Sequence, residues 1–316
     1  MPSEVTLASG PDAGAVWHYG EPIREQRAIV NGTAGVDLGH LPVLAIAGPD
    51  RLGWLNNLTT QQLANIAPGK LVRAYLLNPQ GHVLYELAGV DDGGVFRAST
   101  EPDQAQALLN HLAKMRWRSK VEITDVSADF TLIVPAGAPE PNIVPRAAAE
   151  ALLGVERAGL WAYEALRIAS GRPRAFLDFD ANTLPNELAN PEGDHLGAHV
   201  HLRKGCYPGQ ETVAKVFNIG KPPRRLTLLH LDGSEDALPE VGADVLFEGE
   251  AVGRMGTSER HYELGPVGLA LLKRDLPLEA QIEVGGIAAA QQKIVDPDAG
   301  LHVRPEVGKR SPRSLI

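Results

Sequence analysis

"LVRAYLLNPQGHVLYELAGVDDGGVFRAS", Leu71 to Ser99, reads as three β-strands joined by two tight turns, and it decides the fold class. Asn78-Pro79-Gln80-Gly81 has Pro where a type I turn accepts it and Gly at the end, so "LVRAYLL" and "HVLYELAGV" form a hairpin. Asp91 to Gly94 makes the second turn, leading into "VFRAS". Upstream, Val43 to Ala47 reads as a buried strand. "GPDRLGWLNNLTT" follows it, with Leu52, Leu55 and Leu58 at helical spacing and Pro49 and Asp50 near the start. Downstream, Thr100 and Asp103 form an N-cap pair opening a helix whose apolar face is Leu108, Leu109, Leu112 and Met115. "VEITDV" returns as a strand. The order βα-βββ-αβ predicts an α+β fold, a ferredoxin-like split βαβ layer with an added strand, rather than a doubly wound sheet.

Beyond this unit, "PAGAPEPNIVP", Pro135 to Pro145, is too rich in proline for a helix or central strand and is expected as an exposed loop. Helices are expected around Ala147 to Leu153 and Trp161 to Ala169. After "GKPPRR", Gly220 to Arg225, the character changes. "RLTLLHL", "GADVLFEGEAVGRMGTS" and "GPVGLALL" are short strands punctuated by glycine, the pattern of a small β-barrel, so a boundary is placed near Pro223. The barrel is expected over 224–303. The last stretch, 304–316, ends in the polar and basic "VGKRSPRSLI" without periodicity and is expected as a disordered tail.

The 316 residues are 44% hydrophobic and 22% charged, ordinary values for a globular chain of two or three compact units. A formal net charge of -9 argues against a general nucleic-acid binder, which needs a basic face to release counterions. No run of 18 apolar residues occurs, and "MPSEVTLASG" has neither a basic nor an apolar leader region, so a cytoplasmic protein without membrane partners is expected.

The sequence contains no Gly-rich phosphate loop, GxGxxG, HExxH, CxxC or GxSxG, which weakens nucleotide hydrolysis, dinucleotide, zincin and hydrolase readings. Asp194, His195, His199 and His201 are spaced irregularly, so a polar loop is favoured over a metal site. Asp178 and Asp180 in "FLDFD" share a face if the segment is extended, and structural or solvent roles are favoured over acid–base work. The single cysteine, Cys206, is different. Tyr207-Pro208-Gly209-Gln210 predicts a type II turn that leaves the thiol at the lip of a bend. Arg203 and Lys204 nearby favour a thiolate, and Glu211 opposes it. A buried small hydrophobe and a working thiol both remain open on these residues alone.

"KGCYPGQE", Lys204 to Glu211, resembles the signature Lys-Gly-Cys-Tyr/Phe-x-Gly-Gln-Glu of the YgfZ family, folate-binding proteins that support iron-sulphur cluster assembly or repair. Lys204, Gly205, Cys206, Tyr207, Gly209, Gln210 and Glu211 all match it. "LPNELAN", with Pro185 and Glu187, resembles the Pro-x-Glu that precedes the motif. The larger superfamily includes the T-protein of the glycine cleavage system, a tetrahydrofolate-dependent aminomethyltransferase. His18-Tyr19-Gly20, Glu25, "AGVDLGH", "LLNPQGHVLYEL" and "EALRIASGRP" are similar to its pattern, so the resemblance covers all but the chain's ends.

The resemblance implies a T-protein-like fold of three lobes, two of them in a folate-binding region over 1–223 and the third the barrel. It implies tetrahydrofolate as cofactor, with Glu86, Glu187 and Lys204 as folate contacts, and iron-sulphur enzymes or assembly factors as partners. Cys206 is the working thiol, expected at the cavity mouth, and no resident metal is expected. T-proteins carry an Asp-Asp pair where this chain has Tyr85 and Glu86. The extra methylene displaces a carboxylate by about 1 Å, which can reduce a rate ~100-fold. Their Gly-Phe-Glu turn is replaced by the shortened "PAGAPEPNIVP", where Glu140 is the acidic candidate. The leading function is therefore iron-sulphur assembly or repair through Cys206. The alternatives are a folate-dependent aminomethyl or one-carbon transferase using Glu86, and a non-enzymatic folate-binding module.

Overall fold

The computed structural model describes residues 4–234 and 236–300, so the expected tail over 304–316 lies outside the described residues. The first lobe opens with the ribbon β1 (Val5–Thr6) and β2 (Val16–His18), then helix α1 (Pro22–Val30) and β3 (Ala34–Asp37). The second lobe comprises β4 (Val43–Ala47), α2 (Arg51–Leu58), β5 (Leu71–Leu77), β6 (Val83–Asp91), β7 (Val95–Ser99), α3 (Ala105–Met115) and β8 (Glu122–Asp125). The chain then returns to the first lobe with β9 (Phe130–Val134), β10 (Asn142–Pro145), α4 (Arg146–Leu153), β11 (Glu156–Ala158) and α5 (Leu160–Ala169). A connecting region holds three two-residue strands, β12 (Pro191–Glu192), β13 (His195–Leu196) and β14 (Val200–His201), followed by α6 (Gln210–Ile219). The third lobe is formed by β15 (Arg224–Leu231), β16 (Asp244–Phe247), β17 (Glu250–His261), β18 (Gly265–Lys273), β19 (Ile282–Val284) and β20 (Ile287–Lys293).

The second-lobe sheet runs β5-β6-β7-β4-β8, all antiparallel, with hairpins joining β5, β6 and β7 and β4 inserted between β7 and β8. Gly81 sits at φ +89° and closes the first turn by donating its N–H to the Asn78 carbonyl at 2.9 Å. Because side chains alternate along a strand, Val72 and Leu76 of β5 and Leu87 of β6 pack on one face against Leu55 of α2 and Leu108 and Leu112 of α3. Their neighbours Arg73, Glu86 and Ala88 point the other way, into a cavity. The first-lobe sheet is β10-β9-β3-β11, with β3 and β11 parallel. The third lobe is a closed barrel, β15-β18-β17-β16-β19-β20.

The fold is thus α+β with three lobes, a ferredoxin-like layer and a small C-terminal barrel. Two local expectations are corrected, and for the third segment the extended geometry gives way while the favoured structural role of its aspartates holds. Helix α3 starts at Ala105 without a side-chain cap, and Thr100 is buried beside the cavity instead of capping it. Asn142–Pro145 is not loop but an edge strand, where Val144 is buried and the proline ends the pairing. "FLDFD" lies in turns, so Asp178 and Asp180 have separate structural partners. Asp178 is buried and takes Arg167 at 2.8 Å and the Thr257 N–H of β17 at 2.6 Å, whereas Asp180 takes Arg224 at 2.7 Å.

Candidate functional site

A central cavity of about 100 Å³ lies where the lobes meet. Its roof is the open face of the second-lobe sheet: Leu71, Arg73, Glu86, Ala88 and Ser99. Its floor is one stripe of α5, since Leu160, Tyr163, Glu164 and Arg167 fall at i, i+3, i+4 and i+7. His40, after β3, and Arg172 and Arg174, after α5, complete the walls. A cavity of about 230 Å³ shares Arg73, Arg172 and Pro173 with it. An outer groove of about 980 Å³ shares Arg73 and Glu140 with that second cavity.

The floor is a buried ion network. Arg174 pairs with Asp12 at 2.8 Å, Glu101 at 2.7 Å and Glu164 at 3.4 Å, tying both sheet lobes to α5. Arg167 pairs with Glu164 at 2.7 Å and Asp178 at 2.8 Å. These cations are matched by carboxylates, as buried charges must be. Burial nonetheless raises Glu101 above the usual carboxylate range, with Arg174 offsetting only part of it. Nearer the mouth the balance shifts. Arg73 pairs with the half-exposed Glu140 at 2.7 Å, and Arg172 reaches the same carboxylate at 3.8 Å, so two guanidinium groups share one anion.

Glu86 faces the central cavity while Tyr85, on the opposite face of β6, packs into the second-lobe core. The Glu86 carboxylate is 2.8 Å from His199 Nε2, and the His199 ring stacks on Tyr75 with centroids 4.2 Å apart and planes within 4°. Burial pushes the Glu86 carboxyl up, but His199, Arg73 and Arg172 outweigh it and hold it below its ordinary value. Two buried polar atoms around the cavity have no hydrogen-bond partner: His40 Nδ1 and Ser99 Oγ. Such buried atoms cost a fold stability unless something pairs with them.

Cys206 lies elsewhere. It is exposed and is not among the residues lining the cavities described above, in contrast to the expectation that it stands at the cavity mouth. The reason is local. After β14 the chain turns away, and its two anchors point inward on either side of the thiol. Lys204 is buried and its Nζ donates to the Thr59 carbonyl at 2.5 Å and to the Asn56 carbonyl, both at the C-terminal end of α2. Burial lowers its ammonium to about 8, with the neighbouring Cys206 thiol opposing the shift. Tyr207 is buried in the core that joins the lobes, with Lys204 Nζ 4.9 Å from its ring centroid. Gln210 donates its side-chain amide to the Lys204 carbonyl at 3.3 Å. The expected turn forms, with Gln210 N–H donating to the Tyr207 carbonyl at 3.3 Å and Gly209 at φ +78°. Gly209 then caps α6, a helix the sequence reading did not identify, on which Glu211 is exposed.

Two proposed folate contacts are displaced as well. Lys204 is consumed by the α2 carbonyls. Glu187 is fully buried, accepts the Leu184 N–H at 2.9 Å and pairs with Arg224 at 2.9 Å, which makes it a clamp between the connecting region and the barrel. Conversely, His40, Arg73, Ser99, Arg172 and His199 escaped the sequence reading as cavity residues. Only the arginines of "RIASGRPR" offered a signal, a dense cationic run after a helix with few acids to match it. His195 and His201 rings lie 4.8 Å apart and Arg203 pairs with Asp194, but no group of three metal-capable side chains converges among the described residues. No helix among them is long and apolar enough to cross a membrane.

No protein-family model matches the chain. It is 27% identical over 229 residues to an iron-sulfur cluster assembly factor IBA57 homolog of Mycosarcoma maydis, covering 60% of this chain and 55% of that relative, so it spans little more than half of that protein's length. It is 28% identical over 342 residues to the mitochondrial iron-sulfur cluster assembly factor IBA57 of Homo sapiens, covering 93% and 89% of the two chains. It is 26% identical to an aminomethyltransferase of Nostoc, covering 82% and 83%. Among solved structures, glycine cleavage system aminomethyltransferase T from Bartonella henselae superposes with a TM-score of 0.74 over 94% of this chain and 96% of that one, at 17% identity, a likeness of fold. The chain is thus similar over most of its length to an iron-sulfur cluster assembly factor and to an aminomethyltransferase, and it shares the fold of aminomethyltransferase T.

Proposed function

We propose that this protein supports assembly or repair of iron-sulphur clusters, with Cys206 as its working thiol and a reduced folate held in the central cavity. The observation that carries the thiol assignment is the exposure of Cys206 between two buried anchors, Lys204 and Tyr207. The bend fixes the backbone while leaving the sulphur free, and a soft thiolate suits iron as a ligand. Cys206 buried against apolar side chains would instead have favoured a non-enzymatic module.

The cavity residues fit a folate. Its pterin ring presents amide and amine N–H donors, for which the Glu86 carboxylate is a matched acceptor. The unpartnered His40 Nδ1 and Ser99 Oγ offer further pairing to a polar heterocycle. Arg73 and Arg172 suit an anionic tail leaving through the adjoining cavities. The central cavity alone is smaller than the ~300–1,000 Å³ of common ligand sites, so the tail belongs in the outer spaces. When bound, a reduced folate supplies a carrier for one-carbon units.

Complementation of a deletion strain, read as the specific activity of a [4Fe–4S] dehydratase, tests the thiol. Wild type restores activity and Cys206→Ser does not; full restoration by Cys206→Ser sinks the assignment. Calorimetry with tetrahydrofolate tests the cavity, where Glu86→Gln is expected to weaken binding about tenfold or more. The second reading, aminomethyl transfer to folate, draws on Glu86 being positioned by His199 at 2.8 Å. Transfer by purified protein that survives Cys206→Ser, with iron-sulphur enzymes unaffected, would favour it.

A further inference from the structure

The segment Lys114–Lys120, "KMRWRSK", stands out on a chain of net charge -9. It holds Lys114, Arg116, Arg118 and Lys120 and no acidic residue, and none of the four cations forms a side-chain ion pair among the described residues. Ala113 to Arg118 are all exposed, and Trp117, 85% exposed, is the bulkiest apolar side chain so placed. Trp117 also sits at φ +37°, which a bulky residue adopts only against strain of about 1–3 kcal/mol. The Arg118 guanidinium lies 5.0 Å from its ring centroid. A strained, presented Trp between two arginines has no structural task visible in its own fold.

Its position supplies one. Helix α2 is bound at its N-terminal end to this segment: Asp50 accepts the Lys120 N–H at 2.7 Å, and Trp54 Nε1 donates to the Met115 carbonyl at 3.1 Å. Its C-terminal end is bound to Lys204, two residues from Cys206. Eight residues of helix span about 12 Å, so the basic loop and the thiol flank one short helix. Gly53, on the exposed face of α2, and Gly205, beside the thiol, both have ordinary φ, and a Cβ at either would meet nothing within 4 Å. A mid-helix glycine destabilises a helix by about 1 kcal/mol relative to alanine. Neither glycine is required by packing, and both keep this surface low.

We propose that the Lys114–Lys120 segment, the last two residues of α3 and the loop after it, is the docking surface for the acidic face of a protein partner, the iron-sulphur protein served by Cys206. This rests on the thiol reading given above for the identity of the partner. A standard interface covers about 800 Å² per partner, enough to hold Trp117 and Cys206 under one face. Trp and Arg are the residues that dominate interface energetics. The cationic loop draws in an acidic surface and sets its orientation, while the chain's own negative charge repels misdocked anionic faces. A lipid surface would require a broad apolar helix face, and a polynucleotide a basic face extending beyond seven residues.

The test uses the full chain and the same deletion strain with Arg116→Glu/Arg118→Glu, Trp117→Ala and Cys206→Ser. Because the loop is exposed, the charge reversal is expected to keep the urea midpoint, tetrahydrofolate affinity and Cys206 alkylation by iodoacetamide within about twofold of wild type. It is expected to lower restored dehydratase activity about tenfold, and Trp117→Ala to do so severalfold. Full restoration by the charge reversal overturns the docking surface, and leaves the thiol reading standing if Cys206→Ser still fails. Full restoration by Cys206→Ser overturns the thiol reading, and the surface stands if the charge reversal still fails. Binding of wild type, but not the charge reversal, to phosphatidylglycerol vesicles or to a single-stranded oligonucleotide at 0.15 M salt overturns the protein partner in favour of that polyanion.

Discussion

Two glycines of the thiol motif have opposite reasons for being glycine. Gly209 sits at φ +78°, and a Cβ there would come within 2.5 Å of the Asn78 carbonyl oxygen and 2.8 Å of Gly81 Cα. Gly209→Ala is therefore expected to destabilise the protein by about 3 kcal/mol, seen as a lower urea midpoint. Gly205 has neither constraint, and Gly205→Ala is expected to change stability by under ~0.5 kcal/mol. A second residue-scale expectation concerns Glu259 of β17, raised to about 8 by burial and by the charge of Glu164, with Arg167 and Arg260 opposing. The folded state holds this proton up to about pH 8, whereas the unfolded chain releases it near the ordinary 4.5. Since the folded state binds more protons between those values, stability falls as pH rises through that window. Glu259→Gln should flatten that part of a pH–stability curve; an unchanged slope would show that the carboxyl ionises normally.

At the scale of elements, α2 depends on a residue from far along the chain. Its C-terminal carbonyls take the Lys204 ammonium, a cation where the helix dipole favours one. Lys204→Met keeps the stem but leaves these acceptors unpaired, and should destabilise the fold by about 2 kcal/mol while speeding amide exchange at the end of α2. Much at this scale was legible in sequence. The strand Val43–Ala47 and both hairpins around β6 form as their turn chemistry demands, because two-residue periodicity and a Pro-Gly turn are local facts. The start of α3 was not, since Thr100 is claimed by the cavity wall and tertiary burial overrides its capping preference. Helix α6 was missed because the motif's Pro-Gly turn masks the helix it opens.

For the whole molecule, the barrel is fastened to the connecting region by Arg224, the first residue of β15. It pairs with Asp180 at 2.7 Å and Glu187 at 2.9 Å, and Glu187 has no solvent exposure. Arg224→Ala strands that carboxylate, so a loss of about 3 kcal/mol is expected in urea unfolding. Arg174 plays the corresponding part between the sheet lobes, through Asp12, Glu101 and Glu164. These clamps are why Glu187, which resembles a ligand contact when read as a motif, acts as a structural acid.

The sequence by itself determined the α+β class, the barrel-like C-terminal stretch, the strand that presents Glu86 and the bend that carries Cys206. Each follows from periodicity or turn chemistry within a few residues. Only the tertiary structure decided that Lys204 and Glu187 face inward to α2 and Arg224, that His199, 113 residues from Glu86, orients its carboxylate, and that the thiol lies on the outer surface rather than among the cavity linings. A side chain's partner across a lobe boundary is fixed by how separately folded layers pack, and no local pattern encodes that distance.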